Sequence, residues 1–488
     1  MTDLNHSRPL DVHVWSYHTE VNLLVNEIWD SFFHSGDAVT VKQGRKPKAT
    51  KKVHLKVLLL DLFVCWAADP TQYIAVHLSK SGWKANSRYN ALHLSSRMID
   101  VIKVLHEHNF IELHLGFEGR LSRIRASEKL ELLFASLNAP QEAILFNHLR
   151  EPLELRRRSE ADKKKEKVEY DDTQETARMR EVLNRYNALL SQSHIDICSL
   201  EDPIVERIIT SGKDAGRKQR LSIDRSEIFV RRIFNNGSWE QGGRFYGGWW
   251  QGIGKDLRHD IMIDNKPTIE IDFKAMHAAL LFAATNQQSE FDPYSLEDEL
   301  LSGFSLEEQR SVLKQLVLMA LNSETRSQAF RAFRSDQSKD SSRRKLKDKE
   351  LGTLLTAFTN KYPSIEPYIC SGKGLELMYL DSCIAEQVIE HFSKQSIPVL
   401  CIHDSFIIQY DKVLELRATM VNAAGTLTGR YMFTDKNGYG FDEWFAALDN
   451  TGVKPDWEPK TVVRCEGYNR RWSNYKKSSP TPYSITST

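Results

Sequence analysis

Apolar and polar positions along the chain fall into long periodic stretches separated by short polar breaks, and each period predicts an element. His54–Ala67 has apolar residues at helical spacing and runs into Asp69-Pro70, which predicts a helix ending there. Tyr73–Ser79 reads as a short helix, with Ser81-Gly82 following as a turn. Ser95–His108 is amphipathic, with Met98, Ile99, Ile102 and Leu105 on one face. Phe110–Leu115 alternates like a strand, residues 116–119 form a hairpin-type turn, and Leu121–Ala126 returns as a second strand. Mixed charge over Arg156–Tyr170, then Met179, Leu183, Tyr186 and Leu190 at helical intervals, predict a long helical arm. Thr268–Asp272 alternates as a short buried strand and passes into an apolar run of helical length. Pro398–Ile408 is almost continuously apolar, broken only by His403-Asp404-Ser405, so it predicts two strands joined at a polar tip.

Composition narrows the class. The 488 residues are 41% hydrophobic and 27% charged, which excludes collagen-like, coiled-coil and wholly disordered chains and leaves room for two or three domains. Lys and Arg (66) nearly cancel Asp and Glu (65), so nucleic-acid binding must rest on local basic patches. Six scattered cysteines without a CxxC pair form neither a zinc set nor a disulfide framework. No apolar run is long enough for a membrane span and the N-terminus has no apolar signal core, so a soluble, cytoplasmic protein is expected. The basic run Arg45–Lys52 and the Ser/Thr/Pro-rich end from Ser473 are expected to be mobile.

Three segments carry candidate chemistry. Asp272 stands at a strand end facing a strand-to-helix turn, where a rigid strand fixes a carboxylate and the turn leaves it open to a metal. Asp404 sits at the tip between two apolar strands, where an unpaired buried acid would be costly unless functional. If a fold joins them, the two carboxylates could bridge a pair of Mg2+ ions, with Mn2+ as a substitute, for in-line phosphoryl transfer. Between them, Arg310, Lys314, Leu318 and Asn322 recur every four residues, so on a helix they form one stripe: two cations for phosphates, an apolar platform, then a polar end.

In this order the segments resemble motifs A, B and C of the DNA polymerase I superfamily, which includes the single-subunit phage and mitochondrial RNA polymerases. Asp272 in DFKAMH is similar to motif A, the Arg310–Asn322 stripe to motif B, and His403-Asp404-Ser405 to motif C in its RNA-polymerase form. Gly242-Gly243-Arg244-Phe245 resembles the family's Thr-Gly-Arg-Leu element, and Asp381-Ser382 falls on the polar helix before motif C. The resemblance implies an α/β right-hand palm and fingers. Asp272, Asp404 and the Phe273 carbonyl would be metal ligands, and Arg310 and Lys314 would hold the triphosphate, with Lys314 able to protonate pyrophosphate. Leu318 and Asn322 would lie at the base pair, His277 would gate the sugar, and Arg244, His403 and Asp381 would contact the primer–template. His277 leans towards deoxynucleotides and Ser405 towards the RNA enzymes, while Asn322 replaces the family's Tyr.

Three helices followed by a hairpin also resemble a winged helix-turn-helix, with Arg88, Lys103, Arg120, Arg123 and Arg125 as its positive charge. The expected organisation is a basic flexible region over 1–52, a winged helix over 53–145 and a charged helical linker or thumb-like arm over 146–227. Palm and fingers follow over 228–450, and a tail over 451–488. The expected activity is a template-directed DNA polymerase without a proofreading exonuclease. It would extend a DNA primer–template with deoxynucleoside triphosphates, associate with the nucleoid, and bind origin or promoter DNA through the winged helix, as in phage or plasmid replication. A single-subunit RNA polymerase or primase, and a DNA-binding initiator with an inactive palm, stay open. The aromatics Trp239, Phe245, Tyr246, Trp249 and Trp250 stand either for base stacking or for a core cluster.

Overall fold

The computed structural model describes residues 3–33, 48–137 except 118, 143–208 except 147 and 160–163, 216–437 except 217, 224 and 289, 446–447, 450–452 and 463–478. Residues 45–47 of the basic run, 118 of the hairpin turn and 479 onward therefore lie outside the described residues. Helices and sheets alternate throughout, and buried apolar side chains gather into two large clusters, one drawn from residues 14–144 and one from 153–432.

In the first cluster, β1 (Ser7–Pro9) and β2 (Val14–Trp15) precede α1 (Thr19–Phe32) and α2 (Lys51–Ala68). α2 is buried almost all round from His54 to Cys65, its first turn is capped by the Thr50 hydroxyl accepting from Val53 N at 3.3 Å, and Asp69 ends it. Tyr73–Ser79 is not helical: Tyr73–Val76 forms strand β3, parallel to β1 and antiparallel to β5 (Ser122–Ala126). The physical reason is composition, because Tyr, Ile and Val pack well on a pleated surface and two neighbouring strands take up their backbone groups. α3 (Arg97–Glu107) and β4 (Ile111–His114) complete a sheet ordered β1-β3-β5-β4, followed by α4 (Glu128–Ser136) and β6 (Leu145–Phe146), which pairs with β2.

The second cluster begins inside the segment read as a helical arm. β7 (Leu153–Arg158) and β8 (Lys165–Lys167) pair antiparallel across much of Arg156–Tyr170. The alternation sets Lys167 3.2 Å from buried Glu154, an arrangement that a helix through these charges would not give. Helix begins only at α5 (Gln174–Gln192), capped reciprocally by Thr173 and Thr176, with Met179, Leu183, Tyr186 and Leu190 buried in the cluster. α5 therefore belongs to the core and is not a solvated linker. β9 (Ile195–Ile197), the β10–β11 hairpin (Ile204–Ile208, Lys218–Ser222), β12 (Arg231–Phe234), β13 (Gly242–Tyr246), α6 (Lys255–Arg258) and β14 (Ile261–Ile263) follow.

β15 (Lys266–Phe273), α7 (Met276–Ala284), α8 (Leu306–Leu321), α9 (Arg326–Asp336), α10 (Asp348–Lys361) and α11 (Gly374–Lys394) lead to the β16–β17 hairpin (Val399–Ile402, Ser405–Gln409), α12 (Val413–Thr428) and β18 (Thr434–Asn437). The principal sheet runs β16-β17-β15-β14-β9, with β18 on the end of β15 that β14 leaves free. A second sheet runs β13-β12-β7-β8. The long α11 packs on β13, α5, α7 and α12, tying the two sheets together. The last helix, α13 (Glu466–Ser478), is anchored by Arg471, which donates to Asp196 at 2.8 Å and to the Glu201, Ile197 and Leu200 carbonyls. No helix among the described residues is long and apolar enough to cross a membrane.

Candidate active site

Alternation along β15 sends Ile269, Ile271 and Phe273 into the core and leaves Glu270 and Asp272 half-buried on the other face. β17 lies beside it in the register Asp272↔Ser405. The Phe273 N–H donates to the Asp404 carbonyl at 3.2 Å, so main-chain bonding draws together two acids far apart in the sequence. His403 forms the hairpin turn with a left-handed φ of 60°, a conformation that costs a non-glycine residue about 1–2 kcal/mol and aims the next side chain.

Electrostatics record the proximity. Burial, then the neighbouring Asp404 and Glu270 charges, push the Asp272 pKa up to about 7, while Lys314 and Lys255 pull against that rise. Arg258 pairs with Glu270 at 3.1 Å, and the Ser405 hydroxyl donates to the same carboxylate. Among the described residues no group of three or more His, Cys, Asp or Glu is arranged to hold a metal ion.

α8 carries the four-residue stripe on its open side. Val312, Leu313, Leu316, Val317 and Ala320 are buried, whereas Lys314, Leu318 and Asn322 are exposed and Arg310 is half-buried. The helix start is fixed by a reciprocal cap between Ser305 and Glu308. Arg310 forms an ion pair with Asp292 in the loop before α8. Asn322 donates its amide to the Leu318 carbonyl at 2.8 Å and lies against Gly374, where an added Cβ would sit 1.9 Å from its Oδ1.

Arg244, Asp381 and His277 form one network. Arg244 Nε donates to Asp381 Oδ2 at 2.9 Å and Oδ1 at 3.1 Å, and His277 Nε2 lies 3.0 Å from Arg244 Nη2 and 3.1 Å from Asp381 Oδ2. The Asp381 carboxylate is fully buried and His277 is 7% exposed, with its Nδ1 buried and unpartnered. Two residues expected at the primer–template and one expected at the sugar thus hold one another. Burial, then the Arg244 charge, keep His403 below the usual histidine pKa.

No protein-family model and no curated protein matches the chain. Among solved structures it is similar to the POL domain of Pol1 from M. smegmatis, solved in complex with DNA primer-template and dNTP. That likeness has a TM-score of 0.26 and 8% identity, over 54% of this chain and 51% of that one. It is a loose likeness, and the chain spans about half the length of that domain.

The aromatics divide. Trp250, Phe245 and Trp249 are buried in the core, with the Trp250 indole donating to the Cys401 carbonyl at 3.2 Å, so the core reading holds for these three. Tyr246 is different: its ring lies edge-on to His403 at 5.2 Å. Arg232 is buried against Glu386 at 2.9 Å and Ser382 at 3.0 Å and serves packing. Sequence reasoning passed over Glu270, Lys255 and Asp292. For Glu270 a signal was present, since its two-residue offset from Asp272 in a strand places both on one face. The other two meet the site only through tertiary contacts.

Proposed function

We propose that the chain is a template-directed DNA polymerase that adds deoxynucleotides to a 3′-hydroxyl at Asp272 and Asp404. The observation that carries this reading is the β15–β17 pairing, which brings Asp272 to the Asp404 backbone, with the Lys314 charge near enough to act on Asp272.

The donor chemistry fits Mg2+. Two oxygen-only ligands, of which Asp272 is pushed up to about 7 by burial and then by the Asp404 and Glu270 charges, gain stability from a divalent cation, and Mg2+ is commonly held by one or two carboxylates plus water and substrate phosphates. Asp272 and Asp404 would hold it, with the Phe273 carbonyl as a further ligand, and when bound it would supply an acidified 3′-hydroxyl and neutralised triphosphate charge. Lys314, exposed and electrostatically coupled to Asp272, is suited to meet the triphosphate and to give a proton to the departing pyrophosphate. Arg310 would add a second phosphate contact by exchanging Asp292 for substrate, and Leu318 and Asn322 offer the surface for the incoming base pair. The Arg244–Asp381–His277 network would brace the primer end beside His403, with His277 acting on sugar choice from behind that network.

For the first cluster we propose a winged helix that meets origin or promoter DNA. Its order α2-β3-α3-β4-β5, with strands arranged β3-β5-β4, suits that fold, and Arg120 and Lys103 lie exposed on the hairpin and α3. The test is extension of a labelled primer–template in Mg2+ with dNTPs or rNTPs, and with Asp404→Ala as the control. Extension with dNTPs alone, abolished in the variant, is expected. Extension with rNTPs would move the protein to the RNA-polymerase branch, and synthesis with neither would leave a DNA-binding initiator.

A further inference from the structure

A half-open cleft of about 770 Å3 separates the two hydrophobic clusters. One wall is β1 with the end of α2, and the other is β11 with the loop that follows β13. Its lining carries Arg8, Lys218, Arg220 and His6 against two carboxylates, Asp3 and Glu227. Three of these basic side chains are already paired with carboxylates. Arg8 donates to Asp61 at 3.1 Å, and Arg220 lies 3.2 Å from Glu206 and 3.7 Å from Asp69 across the cleft, while His6 lies 2.8 Å from the same Asp69. Lys218 is exposed. The neutral amides of Asn5, Gln72 and Gln219 also face the space.

One stretch of chain connects the cleft with the candidate site. Gly247 and Gly248 line the cleft, and the preceding residue, Tyr246, is the ring lying against His403 in the β16–β17 hairpin.

We propose that the cleft binds a single-stranded segment of nucleic acid through its phosphodiester backbone. This deepens the polymerase reading and rests on it for the purpose of the strand. The cations stand on two walls and do not converge on one point. That arrangement suits single charges spaced along a backbone, whereas a triphosphate concentrates its charge and calls for a clustered set of donors. Neutral amides between the cations contact phosphate or sugar without selecting a base, so binding should be indifferent to sequence and sensitive to salt.

The test uses the full chain. Acetylation of Lys218 by an amine-reactive reagent is followed by peptide mass mapping, with and without a fluorescent oligo-dT whose saturation is monitored by anisotropy. Expected is a drop in Lys218 reactivity of about fivefold or more with the oligonucleotide, and little change with dTTP or tripolyphosphate at equal phosphate concentration. Lys218→Glu, a change at an exposed position, should weaken oligonucleotide binding by about tenfold at low salt and flatten its salt dependence. Unchanged Lys218 reactivity with the oligonucleotide bound, equal protection by dTTP, or no oligonucleotide binding would each overturn the proposal. Primer extension measured on the same preparations separates the two readings. Protection without synthesis removes the polymerase and keeps the cleft, and synthesis without protection does the reverse.

Discussion

Replacing Asp272 by Asn should stabilise the protein at pH 8 when divalent cations are chelated. Burial and the facing Asp404 hold the Asp272 carboxyl at about 7, against an ordinary 3.8. Across that window the folded state keeps a proton that the unfolded state has released, so this group's contribution is intact below about pH 4 and is lost as pH rises through 7. At about 1.4 kcal/mol per pH unit, the gap sets an upper bound on the order of 4 kcal/mol for holding the ionised carboxylate without a counterion. The Asn side chain keeps the shape and removes the charge. Thermal unfolding of both proteins in EDTA at pH 5 and pH 8 measures the effect. The advantage of the variant should widen by several degrees between the two, and added Mg2+ at pH 8 should raise the wild type more than the variant. A variant less stable at pH 8, or a difference that does not change with pH, would refute the electrostatic account of the pair.

Three further outcomes follow from the same geometry. Lys314→Ala should leave the melting temperature unchanged because the side chain is exposed, yet slow primer extension by a hundredfold or more and move the acidic limb of its pH profile upward, since Lys314 restrains the Asp272 pKa. Gly374→Ala should change stability by less than about 1 kcal/mol in urea titration, because its Cβ meets only the exposed end of the Asn322 side chain, which can turn away. Arg471→Ala should cost about 3–5 kcal/mol by leaving Asp196 buried without its cation, with early protease cutting around α13 as a second readout.

The parts legible in the sequence were those whose signal is local. The alternation of Thr268–Asp272 and the broken apolar run at His403-Asp404 announced β15 and the β16–β17 hairpin, and the four-residue repeat announced the exposed stripe of α8. Tyr73–Val76 was misread because four apolar residues fit a helical turn and a strand equally well, and only pairing with β1 and β5 decides between them. Arg156–Tyr170 was misread because its charges of both signs suit a solvated helix, while the buried Glu154 that organises them as strands lies just before the segment. The Arg244–Asp381–His277 network was beyond reach as a network. Each residue had been singled out, but that they would satisfy one another is a fact of how α7, α11 and β13 pack.

The bond between Phe273 N–H and the Asp404 carbonyl also bears on which changes of length the chain can tolerate. A residue inserted or deleted in β15 or β17 would shift the pairing by one, turn Asp272 towards the core and bring an isoleucine or phenylalanine to the reacting face. The loop between α7 and α8 is anchored as well, by Tyr294 and Leu301 in the core and by the buried Gln309 amide, which accepts from the Leu300 and Leu301 N–H groups. Length variation between related chains should therefore stop at the two strands and at the anchored part of that loop.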